Sequence, residues 1–153
     1  MGFGTLSLKG RALRLLAQRE HSRSELATKL ARHVQEGDDL NAVLDELQAK
    51  DFINANRVAE SLVHRRAGRL GTQRLVQELR SKGLDDELVR ATAERLRATE
   101  LQRAQAVWRR RFGSVATEAN ERARQMRFLA ARGFAGDVVR RVVRDGGADD
   151  AVA

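Results

Sequence analysis

The chain has 153 residues and a formal charge of +8, with no cysteine, no proline, no tyrosine, five Phe and one Trp. Lack of cysteine excludes a disulfide framework, a thiolate metal site and a thiol nucleophile, and lack of proline leaves glycine as the only strong punctuation. The longest apolar run is four residues, 128–131, far short of the roughly 20 that cross a bilayer, and no charged N-terminal stretch leads into an apolar one, so a soluble, cytoplasmic chain without membrane contact is expected.

Helical periodicity runs through the sequence. Leu8, Ala12, Leu15 and Leu16 mark a first helix. Ser22-Arg-Ser-Glu25 is a capping box, and Leu26, Leu30 and Val34 continue from it at spacing four. Asp39 is the expected N-cap of a third helix carrying Leu40, Val43, Leu44 and Leu47. The pattern restarts at Asn54, with Val58, Ala59, Leu62 and Val63 as the stripe of a fourth helix. Gly71-Thr72 opens a fifth with Leu75, Val76 and Leu79, stopped by Gly83. Asp85-Asp86-Glu87 places negative charge at the start of a sixth, where the helix dipole favours it, ahead of Leu88, Val89, Ala93 and Leu96. A seventh carries Leu101, Ala104, Val107, Trp108 and Phe112 up to Gly113. Ala119, Ala123, Met126 and Ala130 give an eighth, ended by Gly133, and Val138, Val139, Val142 and Val143 a ninth.

The helices group in threes, and the groups repeat. Lys82-Gly83-Leu84 returns 50 residues later as Arg132-Gly133-Phe134, and Leu88-Val89-Arg90 as Val138-Val139-Arg140. Leu26 and Leu30 lie 49 residues before Leu75 and Leu79. A fixed offset of this size is the mark of a repeat array. The expected fold is all-α, with three tandem three-helix repeats at 6–53, 54–97 and 98–145 forming an elongated, curved array. Residues 1–5 and 146–153 are expected to be flexible ends. Stacked repeats touch only their neighbours and offer a long surface, better suited to an extended partner than to a small substrate.

Charge is uneven along the array. Residues 1–53 are neutral overall, with 8 basic and 8 acidic side chains, whereas 54–97 and 98–153 each carry +4. Of the 29 basic residues 25 are Arg, whose planar fork pairs bidentately with carboxylates and phosphates. Arg109-Arg110-Arg111 is the sharpest cluster, and Arg65, Arg66 and Arg69 form a second. Trp108 shares the apolar stripe of its helix and is expected in the core.

Catalytic constellations are missing from the sequence. His21, His33 and His64 have no second ligand at metal spacing and read as surface residues. Asp38-Asp39 and Asp85-Asp86-Glu87 sit at helix starts, where capping explains them. The stretch 68–72 lacks the lysine, the spacing and the preceding strand of a phosphate loop and reads as a turn. A lesser expectation is that its N–H groups meet an anion at the next helix start. No enzyme activity and no cofactor are expected.

An ordered series of segments resembles the RecX regulatory family: Leu6-Ser-Leu-Lys-Gly-Arg-Ala-Leu13, Arg19-Glu-His-Ser-Arg-Ser-Glu-Leu26, Val43-Leu-Asp-Glu-Leu47, the stretch from Phe52 to Arg66, Gly71 with Glu78-Leu-Arg-Ser-Lys-Gly-Leu84, Arg111-Phe-Gly113 and Arg127-Phe-Leu-Ala-Ala-Arg-Gly-Phe134. The series spans about residues 6–145. Asp51 stands where the family usually has glycine, and Val58 where it has an aromatic. The resemblance implies a modulator that lies in the groove of the RecA–DNA filament and damps ATP hydrolysis, strand exchange and the co-protease activity behind the SOS response. The expected partner is therefore the RecA filament, with at most weak nonspecific contact to single- or double-stranded DNA, and the chain is expected to be a monomer. The alternative is a stand-alone nonspecific DNA-binding helical protein. The basic face expected to meet the partner comprises Arg57, Arg65, Arg69, Arg74, Arg80, Lys82, Arg109, Arg110, Arg111, Arg124, Arg127 and Arg132.

Overall fold

A computed structural model of the chain describes residues 6–146. Among the described residues all regular secondary structure is helical: α1 (Leu8–Gln18), α2 (Arg23–Leu30), α3 (Leu40–Ala49), α4 (Ala55–Arg66), α5 (Thr72–Ser81), α6 (Asp86–Ala98), α7 (Glu100–Arg111), α8 (Ala119–Ala131) and α9 (Gly136–Asp145). A single 3-10 turn, Ala31–His33, prolongs α2. The two expected flexible ends lie outside the described residues, except Gly146, whose N–H reaches Val142 C=O (2.8 Å) to close α9.

Local chemistry sets the helix starts. The side chains of Ser7, Asp39, Asn54 and Asp85 each accept a hydrogen bond from the backbone N–H three residues on, satisfying a donor with no intrahelical partner. Ser22 and Glu25 form the full reciprocal box. Packing then divides the array. Leu8, Ala12, Leu26, Leu30, Leu44, Leu47 and Ile53 form the core of α1–α3. Val58, Ala59, Leu62, Leu79, Leu84 and Val89 fill that of α4–α6, extended by Leu70, Leu75 and Leu96. Ala104, Val107, Trp108, Leu129, Phe134, Val139, Val142 and Val143 fill that of α7–α9. Each unit thus buries its own apolar stripes, as repeat architecture requires.

One junction occurs twice, at the 50-residue offset. At the first, Ser22 Oγ–H at the start of α2 donates to Lys82 C=O (2.6 Å) at the end of α5. At the second, Gly71 N–H and Gln73 N–H at the start of α5 donate to Arg132 C=O (2.8 Å) and Gly133 C=O (3.2 Å) at the end of α8. The glycine after each carbonyl makes the approach close enough. A Cβ on Gly83 would lie 2.7 Å from Ser24 Cβ, and one on Gly133 would lie 2.4 Å from Arg74 Cβ. Both glycines have positive φ, 76° and 92°, so a side chain there is opposed by sterics and conformation together. The recurring Lys/Arg-Gly pair is therefore the plug by which one unit's second helix docks on the preceding unit's second helix.

The second junction also contains the anion expected at 71–72. It is internal: Glu100, 4% exposed, accepts from Thr72 N–H at 2.8 Å. Glu25 performs the equivalent task for Ser22 within its own unit (3.1 Å). The equivalent position of α5 holds Arg74, so its carboxylate comes from α7 instead. One turn after Glu100, Arg103 donates to the carbonyls of Ala67, Leu70 and Leu96 and to Thr72 Oγ1, tying α4, α5, α6 and α7 together.

Three expectations need correction. His21 is buried, 1% exposed, because its ring closes the α1–α2 turn: Nδ1 lies 3.0 Å from Arg19 C=O and Nε2 2.9 Å from Lys29 Nζ. Val34 is exposed, because α2 tightens into the 3-10 turn at Ala31 and the spacing-four stripe ends with Leu30. On α8 the fully buried residues are Gln125 and Leu129, not the alanines. Gln125 is drawn inside by Trp108, whose Nε1–H donates to its Oε1 at 2.9 Å, since a buried indole N–H needs an acceptor.

Asp51 has φ 65°, the left-handed conformation, and is the one non-glycine with positive φ among the described residues. Its carboxylate accepts from Asn54 Nδ2 and Arg57 Nη1, both at 2.9 Å. Neighbouring donors thus secure a turn where the resembling family uses glycine.

Candidate functional site

A cluster of arginines lies at the seam between the second and third units. Arg110 and Arg111 occupy the last turn of α7, on either side of the line that continues from Val107. Phe128 and Arg132 are one turn apart at the end of α8. Phe112 meets Phe128 edge-on, with ring centroids 5.4 Å apart at 85°. Two guanidinium groups lie over the Phe128 ring, Arg111 at 5.4 Å and Arg132 at 4.8 Å from the centroid. Arg110 Nη2 donates to Gly68 C=O at 2.7 Å, which brings the α4–α5 turn and its Arg69 alongside. A cleft of about 290 Å³ results, lined by Arg69, Val107, Arg110, Arg111, Phe128 and Arg132. No carboxylate among the described residues lines it.

The aromatic ring explains how like charges can gather there. The negative face of a benzene ring attracts a cation, so Phe128 holds Arg111 and Arg132 without consuming their hydrogen-bond donors. Those planar donors can grip a carboxylate or a phosphate bidentately. The ring itself is occupied by the guanidinium groups and is no platform for a stacked base.

The remaining members of the expected basic face divide into two sets. Arg57 is held internally by Glu20 and Asp51, each at 2.9 Å. Lys82 is held by Glu25 at 3.2 Å. Arg65 folds back on Ser61 C=O of its own helix at 3.2 Å, and Arg124 pairs loosely with Glu121 at 3.5 Å. Arg74, Arg80, Arg109 and Arg127 are exposed but stand away from the cleft. Of these, Arg80 lines a second seam cleft shared with Arg97, Glu100 and Asp137, where the charges are mixed. The structure thus brings together Arg69, Arg110, Arg111 and Arg132.

Nothing among the described residues forms a group of His, Cys, Asp or Glu able to hold a metal ion, and no described helix is long and apolar enough to cross a membrane. His21 is held below the ordinary imidazole pKa by burial first, with the Arg19 and Lys29 charges adding to it. With Lys29 donating to Nε2, the proton is assigned to Nδ1, facing Arg19 C=O.

Comparison with known proteins identifies three successive family profiles along the chain. The family profiles described as the first, second and third three-helix domains of RecX match residues 9–47, 56–92 and 98–143. The regulatory protein RecX of Leptothrix cholodnii is 55% identical over 139 residues, covering 91% of this chain and 88% of that protein. Its counterpart in Herminiimonas arsenicoxydans is 50% identical over 139 residues, covering 91% and 92%. The crystal structure of RecX from Lactobacillus salivarius superposes with a TM-score of 0.73 at 20% identity, covering 89% of this chain and 92% of that one, which speaks for the fold.

Proposed function

The chain belongs to the RecX family of regulatory proteins, and we propose that it restrains the RecA recombinase by lying in the groove of the RecA–DNA filament. In this reading it limits ATP hydrolysis, strand exchange and the co-protease activity of the SOS response. It works as a cytoplasmic monomer and catalyses nothing itself. The repeats, taken as 6–53, 54–97 and 98–145, follow neighbouring filament subunits along their length.

The observation that carries the reading is the cleft at the second seam, where Arg69, Arg110, Arg111 and Arg132 converge with no carboxylate in the lining. Such a site takes an acidic protein surface or a phosphate, the two chemistries a nucleoprotein filament presents together. Stand-alone DNA binding is the weaker reading, because the arginines come from the ends of two helices and a turn instead of one recognition helix, and Phe128 is already covered.

The test is RecA ATPase on single-stranded DNA with this protein at substoichiometric amounts. Inhibition is expected, and its absence sinks the proposal. Charge reversal in R110E/R111E should weaken inhibition at least tenfold and flatten its dependence on salt. A variant that inhibits as well as the parent would remove the cleft from the mechanism.

A further inference from the structure

The first unit is neutral overall, and that sum conceals a separation of charge. Its carboxylates are largely engaged elsewhere. Glu20 and Asp51 hold Arg57, Glu25 holds Arg19 and Lys82, Asp45 holds Arg23, and Glu46 holds Lys9 and Lys50. Asp39 caps α3. α1 contains no acidic residue at all.

The cations left over converge on one groove. Arg11 and Arg14 lie one turn apart on α1, and Lys29, Arg32 and His33 end α2 and its 3-10 extension. Together they line a groove of about 560 Å³. No carboxylate among the described residues lines it; Asp38 lines the adjoining cleft, where its Oδ2 accepts from Gln35 N–H at 2.8 Å. Arg11 and Arg14 form no ion pair among the described residues. His33 sits in this positive field, its pKa lowered by desolvation and by the charges of Arg11 and Arg32.

The walls between the cations are apolar. Leu6 is 40% exposed, and Leu15 and Leu30 complete the lining. A phosphodiester chain gains nothing from leucine walls. A peptide that alternates carboxylates with Leu or Phe uses both features at once, charge for the rim and apolar area for the floor.

We propose that this groove is a docking site for an acidic, Leu- or Phe-bearing peptide segment of a partner protein. The proposal does not depend on the seam cleft or on the recombinase reading, since it concerns another unit and another surface. Charge supplies orientation and rate, and burial of the apolar side chains supplies most of the residence time.

The test is fluorescence anisotropy of the full chain with a fluorescein-labelled synthetic peptide alternating Asp/Glu with Leu/Phe. Saturable binding is expected. R14E/R32E, both exposed and in no ion pair among the described residues, should weaken it at least tenfold, while R110E/R111E changes it less than twofold. Replacing Leu/Phe in the peptide by Ser should weaken it at least fivefold. Circular dichroism confirms that R14E/R32E is folded; if it is not, R14Q/R32Q replaces it with a threefold loss expected. The proposal is overturned by no binding, by binding that ignores the Arg14 and Arg32 changes, or by indifference to the Ser peptide. It is equally overturned if an unlabelled dT oligonucleotide displaces the peptide more effectively than unlabelled peptide does, or if the groove proves to be covered by a second copy in sedimentation.

Discussion

Substituting Gly133 by Ala asks how much of the second junction rests on one missing Cβ. Two contributions add. The residue sits at φ 92°, where an L-side chain costs about 1–2 kcal/mol. The new Cβ would also stand 2.4 Å from Arg74 Cβ and 2.7 Å from Arg74 N, so the turn must back away from α5. That movement stretches the bonds from Gly71 N–H and Gln73 N–H, 2.8 and 3.2 Å long, worth about 1 kcal/mol each. The sum is about 3–4 kcal/mol. Gly37 provides the control, with φ 87° and nothing within 4 Å of where a Cβ would stand, so Gly37→Ala should show only the conformational part. The difference of about 2 kcal/mol corresponds to about 4–8 °C in Tm at this chain length. Trp108, the one tryptophan, reports the third unit by fluorescence, while circular dichroism reports every helix. In Gly133→Ala the fluorescence transition should precede the dichroism transition, because the third unit loses its dock. Equal Tm shifts for the two variants, with coincident transitions, would refute the reasoning.

Other outcomes follow from single contacts. Glu100→Ala should lower stability by about 2–3 kcal/mol in urea unfolding, because it strands the buried Thr72 N–H and deprives Arg103 of a neighbouring charge; a loss under about 0.5 kcal/mol contradicts the role given to this carboxylate. Gln125→Leu should cost about 1–3 kcal/mol despite being more apolar, since Trp108 Nε1–H loses its acceptor, and an unchanged midpoint would contradict that. Burial pushes the Glu25 pKa up, but hydrogen bonds from Arg19, Ser22 N–H and Lys82 prevail and hold it at about 2, below the reference 4.5. Its contribution is therefore complete above pH 4.5 and lost as pH falls towards about 2, about 3 kcal/mol before solvent screening reduces it. Glu25→Gln should flatten that part of the stability–pH curve and leave the slope above pH 5 unchanged; parallel curves for parent and variant would show that the ion cluster does not couple to folding.

Local signals carried the helices. Ser22, Asp39 and Asp85 each announce a helix start by chemistry that operates within three residues, and Gly83 and Gly133 reveal the repeat because the same close approach is needed twice. The 3.6 period placed Leu26, Leu75, Val89 and Trp108 inside correctly. It failed on α8, because apolarity and burial part company where a buried donor needs a partner, as Trp108 needs Gln125. His21, which lacks a second ligand at metal spacing and so reads as a surface residue, is buried because its ring closes a turn. The basic face was the least readable feature. Arg57 meets Glu20 across 37 positions, and Arg110 meets Gly68 across 42, so which arginines are engaged internally is decided by tertiary pairing. Arg103 and Glu100 look like any charged pair near a helix start, and only the seam gives them a purpose. Net charge misled in the first unit, because a sum records no direction.

The middle unit owns both halves of the coupling: the start of α5 receives, and the Lys82-Gly83 corner inserts. A chain carrying that segment in duplicate would therefore bring its own matched connectors at either side. Such a four-unit version would keep the corner-to-corner plug at every seam and need one redesigned contact, a carboxylate to replace Glu100 at the Thr72 N–H of the first copy.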